Sequence, residues 1–136
     1  MNQKPATPRK ISEAAQQAFA NWMKNVFGTE DPELQSELLS QASDTVPDFV
    51  GRELKSFDYV AAALHGIGPK DALEGMLAVQ MVAAHTTAME CLKRAALPNQ
   101  TDLGVEVNVN RGTKLMRTFA SLTEALSRYR GKGEQK

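Results

Sequence analysis

The sequence predicts an all-α protein, with four or five helices in an antiparallel bundle and a long central helix over about residues 69–96. Three observations predict it. Apolar residues step by 4 and 3 in two separate stretches, Val50, Leu54, Phe57, Ala61, Leu64 and Leu115, Phe119, Leu122, Leu126, Tyr129, the spacing of a helix face turned to a neighbouring helix. Residues that start and stop helices punctuate the chain at helix-length intervals: Ser12, Gly28, Asp31-Pro32-Glu33 and Pro69. From Pro69 to about Ala96, apolar and small residues wrap most of the circumference, as in a helix covered on more than one side.

Residues 1–10 are polar, contain Pro5 and Pro8, and read as a disordered arm ahead of one helical domain over residues 11–130. The first helix begins near Ser12, an N-cap residue followed by Glu13; Ala15, Phe19, Trp22 and Val26 recur at helical spacing, and Gly28 supplies the stop. A short second helix opens at Asp31-Pro32-Glu33, carries Leu34, Leu38 and Ala42, and ends around Ser43. The third holds the Val50 to Leu64 seam and stops at His65-Gly66-Ile67-Gly68-Pro69. The fourth, Pro69 to about Ala96, spans roughly 40 Å at ~1.5 Å per residue, the width of a domain of this size. It is expected to be the longest helix. Leu97 to Thr101 is a loop. Val105, Val107 and Val109 alternate with polar residues as a strand would, yet nothing offers them a pairing partner, so a helix starting between Asp102 and Glu106 is favoured. In the last helix Leu115, Phe119, Leu122, Leu126 and Tyr129 fall within an arc of about 80°, with Arg117, Glu124 and Arg128 opposite. Glu124 and Arg128 have the favourable i,i+4 order. Gly131 and Gly133 read as the helix stop, leaving residues 131–136 as a flexible basic tail.

With 136 residues the chain fits a single domain and needs no covalent staple. The lone Cys91 excludes an intramolecular disulfide and suits a reducing cytoplasm. No apolar run is long enough to cross a membrane, and the N-terminus has no apolar signal segment. Net charge is zero but unevenly spread. Glu30 to Asp58 holds eight acids against Arg52 and Lys55; Arg111 to Lys136 holds seven bases against Glu124 and Glu134. Such asymmetry arises when the two segments lie side by side, when subunits pack acid against base, or when a basic face meets nucleic acid or membrane.

Chemistry-bearing patterns are sparse. Around His85 the helical ligand positions hold Met81, Val82, Ala88 and Met89, none a good zinc or iron ligand; Glu74 lies about three turns away. Of the six methionines (Met1, Met23, Met76, Met81, Met89 and Met116), Met76, Met81 and Met89 do not repeat at one clean ligand spacing, and gap-filling in a core is their ordinary role. Cys91 lacks the signature of an activated thiol, Glu74 and Glu90 stand as isolated acids, and Gly66-Ile67-Gly68-Pro69-Lys70 is a turn rather than a phosphate loop. No cofactor and no catalytic residue is expected. The residues available for a nucleic-acid contact are Arg111, Lys114, Arg117, Arg128, Arg130 and Lys132, although bases at a helix C-terminus also complement its dipole.

The stretch DALEGMLAVQMVAAHTTAMECLKRA, Asp71 to Ala95, together with Arg128 to Lys136, resembles a family of small, uncharacterised helical proteins from proteobacterial genomes, plasmids and prophage-like regions. The resemblance covers the second half of the chain and implies a bacterial accessory protein of a mobile-element system; it brings no activity and no residue roles. Longer members continue past the equivalent of GEQK into a Val/His-rich tail, which leaves open whether the native chain runs on beyond Lys136. The expected function is that of a non-enzymatic, self-associating helical interaction protein in the cytoplasm. The alternative is a nucleic-acid-binding accessory protein that uses the basic end of the last helix.

Overall fold

The computed structural model describes residues 9–46 and 56–134. Among them the chain forms five α-helices and no strand: α1 (Glu13–Phe27), α2 (Pro32–Thr45), α3 (Ser56–Ile67), α4 (Ala72–Ala95) and α5 (Asp102–Glu134). Most of the proposed disordered arm, and Val50 and Leu54 of the third seam, lie outside the described residues.

Side-chain caps set the helix starts. The Ser12 hydroxyl accepts from the Ala15 amide at 3.2 Å, the Asp31 carboxylate from Leu34 at 2.8 Å, and the Asp71 carboxylate from Glu74 at 2.9 Å. Each such cap is worth about 1 kcal/mol. Asp71 explains why α4 starts at Ala72 and not at Pro69: its extended backbone and its carboxylate satisfy the first free amides, and Pro69 belongs to the turn before. Gly28 closes α1 in the left-handed conformation, φ 74°, where a side chain would be strained. Thr101 starts α5, its hydroxyl accepting from the Gly104 amide at 3.0 Å. That cap draws Val105, Val107 and Val109 into the helix. Nor do Gly131 and Gly133 stop α5, which continues to Glu134, so the expected flexible tail is helical as far as that residue. At 33 residues α5, not the 24-residue α4, is the longest helix, about 50 Å at the standard rise.

The helices form three layers with α4 in the middle. One face of α4 meets α1–α3 and builds the main core from Val26, Phe27, Leu38, Ala42, Val60, Leu64, Ala78, Val79 and Val82. Each large side chain removed from water here contributes roughly 1.5–3 kcal/mol. Gly75 permits the closest approach: a Cβ there would land on the Phe27 carbonyl oxygen at the end of α1. Thr86, also buried, gives its hydroxyl proton to the Val82 carbonyl at 2.9 Å, so its polar atom is not stranded.

The opposite face of α4 receives α5, which packs on α4 alone among the described helices. The pair is antiparallel. Arg130 reaches Glu74, the Phe119 ring lies 5.8 Å from that of His85, and a Cβ on Gly112 would sit 3.1 Å from Leu92. Met81 and Ala88 are buried along the same face.

Two expected stripes shift. On α3, Val60 and Leu64 are buried with Ala61, whereas Phe57, on the same side of the helix but in its first turn, is 41% exposed, because the covered part of that face begins at Val60. On α1 only the C-terminal half is covered. Ala15 is exposed and Phe19 is 62% exposed, stacked on Trp22 with centroids 6.1 Å apart, since no described helix reaches the first two turns.

Candidate functional site

One partly buried polar cluster joins three helix ends. Glu74, in the first turn of α4, is 2% exposed. Arg130 Nε donates to Glu74 Oε1 at 2.5 Å, and Arg130 Nη2 donates to the carbonyls of Ile67 at 3.1 Å and Gly68 at 3.0 Å. The guanidinium therefore neutralises the buried carboxylate and satisfies free carbonyls at the C-terminus of α3, where the helix dipole also favours a cation. Beside it the Tyr129 hydroxyl donates to Asp71 Oδ2 at 2.6 Å. That hydrogen bond, aided by the Glu74 amide, holds the Asp71 carboxyl below its ordinary value; the same bond raises the Tyr129 phenol, with a smaller contribution from desolvation. The cluster is a clasp that locks the end of α5 to the start of α4. Glu74 is thus not an isolated acid, and Arg130 already spends three donor contacts inside the chain.

The rest of the apolar seam lies along α4: Leu126 is buried, Leu115, Phe119 and Leu122 are half-buried, and Tyr129 is 38% exposed at the rim of the clasp. His85 is exposed with its ring tilted against Phe119. Glu90 pairs with Arg94 at 3.0 Å, and Cys91 is half-buried. No three His, Cys, Asp or Glu side chains among the described residues converge on a point where a metal ion could be held.

The remaining candidates, Arg111, Lys114, Arg117, Arg128 and Lys132, are all exposed and form no ion pair among the described residues. Glu124 and Arg128, expected to pair along the helix, do not. At 100° per residue Lys114, Arg117, Arg128 and Lys132 fall within an arc of about 60° on the face of α5 turned away from α4. Arg111 lies beyond one edge and Glu106 and Glu124 border the other.

A second charged stripe is visible only once the helices are in place. Glu33, Glu37 and Asp44 are exposed and lie within about 40° on α2, a helix with no basic residue. Glu37 accepts from Gln41 at 3.0 Å and Asp44 from the Ser40 hydroxyl at 3.3 Å, but none of the three forms an ion pair among the described residues. Asp48 and Glu53 of the acidic run lie outside the described residues. Among the described residues, the acidic stripe of α2 and the basic stripe of α5 are not side by side, because the two helices pack on different faces of α4. No helix among the described residues is long and apolar enough to cross a membrane. No family model matches this chain, and no curated protein or solved structure was found similar to it.

Proposed function

We propose that this chain is a non-enzymatic helical protein that acts by self-association, as an assembly component of a bacterial accessory system. The observation that carries the reading is α5 itself. It is 33 residues long, packs along α4 and among the described helices meets another only where Arg130 reaches the end of α3, and it leaves Leu103 68%, Val109 40% and Met116 42% exposed. Phe19 on the uncovered half of α1 and Leu73 and Met76 on α4 are exposed as well. Apolar side chains in such numbers on a small chain favour burial against another surface, and a second copy is the commonest partner. The resemblance carried by Asp71 to Ala95 supplies the bacterial setting. Light scattering on the purified protein at micromolar concentration tests the reading: a mass that is a multiple of 14.9 kDa supports it, and a strict monomer refutes it.

A second reading draws on the exposed basic stripe of α5, which would follow a phosphate backbone. Its test is retention of DNA or RNA across a salt series. Neutralising four phosphates predicts a slope of log affinity against log salt of about −3 to −4; no retention at low ionic strength refutes it.

A further inference from the structure

We propose that copies of this chain join head to tail, with the basic stripe of α5 on one copy lying along the acidic stripe of α2 on the next. The inference rests on the self-association reading and specifies its surface and geometry. Lys114, Arg117, Arg128 and Lys132 on one side, and Glu33, Glu37 and Asp44 on the other, are exposed and form no ion pair among the described residues. Because α4 separates the two helices, a molecule cannot bring its own stripes together. A two-fold dimer would engage both stripes at once only if they shared a face. On different faces they give a heterologous contact, which closes into a ring or continues as a chain.

The spacing fits one direction. Glu33 to Asp44 and Arg117 to Arg128 are the same interval, eleven residues or about 16 Å of helix. Laid parallel, α2 and α5 set Glu33 beside Arg117, Asp44 beside Arg128, and Glu37 beside Ser121, with Lys114 and Lys132 flanking. Laid antiparallel, Glu37 would face Glu124, two like charges. A second copy suits the basic stripe better than a nucleic acid does. Glu106 and Glu124 border the stripe on one side, so a long polyanion meets repulsion there, whereas α2 offers an acidic surface of matching length. Exposed ion pairs are individually weak and screened beyond about 8 Å in physiological salt, so the contact fixes orientation and weakens as salt rises.

A charge swap tests this on the full-length chain. One variant reverses α5 (K114E, R117E, R128E) and the other reverses α2 (E33K, E37K, D44K). Each, alone, should associate at least tenfold more weakly than the wild type in sedimentation velocity. Mixed in equal amounts they should associate again, because every reversed stripe then meets a reversed partner. Wild-type association should weaken at least tenfold between about 0.05 and 0.5 M salt. Neutral versions (E33Q, E37Q, D44N and K114Q, R117Q, R128Q) should each weaken association in the same sense, and they carry the test if a reversed helix fails to fold. Wild-type association that ignores both salt and charge reversal overturns the head-to-tail contact and leaves self-association through the apolar surfaces standing. Failure of the mixture to recover also overturns it. A wild type that stays monomeric at every salt concentration overturns both, and retention of nucleic acid by that monomer, lost on α5 reversal, assigns the stripe to a polyanion.

Discussion

Replacing Arg130 with Met leaves the Glu74 carboxylate, 2% exposed, without its cation. Breaking a buried ion pair from one side costs roughly 3–5 kcal/mol, because the remaining charge stays desolvated. The Arg130 side chain keeps 33% of its exposure, so water shares in solvating the pair and the lower end of that range applies, about 3 kcal/mol. The aliphatic part of Met retains some of the packing, which confines the loss to charge and hydrogen bonds. With a urea dependence of about 2 kcal/mol per molar, the unfolding midpoint should fall by about 1.5 M. Adding Glu74→Leu to Arg130→Met should recover most of the loss, since an apolar pair often substitutes for a buried ion pair at little cost. Chemical denaturation followed by circular dichroism measures both. An Arg130→Met loss below about 1 kcal/mol, or a double variant no more stable than the single one, would show that the clasp does not hold α5 as described.

The other predictions concern the same hairpin and its contact with α1. Tyr129→Phe should alter stability in a pH-dependent way: in the wild type Asp71 titrates below its ordinary 3.8 and Tyr129 above its ordinary 10.0, so their bond stabilises between those limits. Its contribution is lost as acid protonates Asp71 and as alkali ionises Tyr129, so the gap between wild type and variant should be widest at neutral pH and close at both ends. Gly75→Ala should destabilise by about 2–3 kcal/mol, the new methyl striking backbone rather than a side chain that can move, whereas Gly112→Ala should stay within about 1 kcal/mol because Leu92 is half-buried and can turn aside. Leu126→Ala removes the one buried aliphatic anchor of α5 and should cost about 2 kcal/mol, with faster amide exchange along the last turns of α5.

Helix class, helix number and most starts were legible in the sequence because capping is local: Ser12, Asp31 and Gly28 act within four residues of themselves. The start of α4 was misplaced because Pro69 and Asp71 are both plausible openers, and only the backbone angles show which residue caps. Gly131 looked like a stop because glycine favours one, yet glycine also tolerates helical angles, and the clasp at Arg130 holds the helix to that point. The exposed Phe19 and Phe57 could not be read from periodicity, which reports that a face is apolar but not how far along it a neighbour extends. The clasp was invisible for a similar reason. Glu74 and Arg130 are 56 residues apart, and their meeting depends on the antiparallel register of α4 and α5. The acidic stripe of α2 had a faint signal in the run from Glu30 to Asp58, but the composition of a run does not tell which side of a helix its charges occupy.

The outward direction of Lys114, Arg117, Arg128 and Lys132 depends on α5 lying along the α4 of its own chain. Isotope-filtered nuclear Overhauser spectroscopy on a mixture of labelled and unlabelled protein tests this directly. Cross-peaks between the Leu92 methyls and the Gly112 α-protons, and between the His85 and Phe119 rings, should appear within a single chain. Their absence, or their appearance only between labelled and unlabelled copies as in an exchanged hairpin, would contradict the three-layer fold and the surfaces drawn from it.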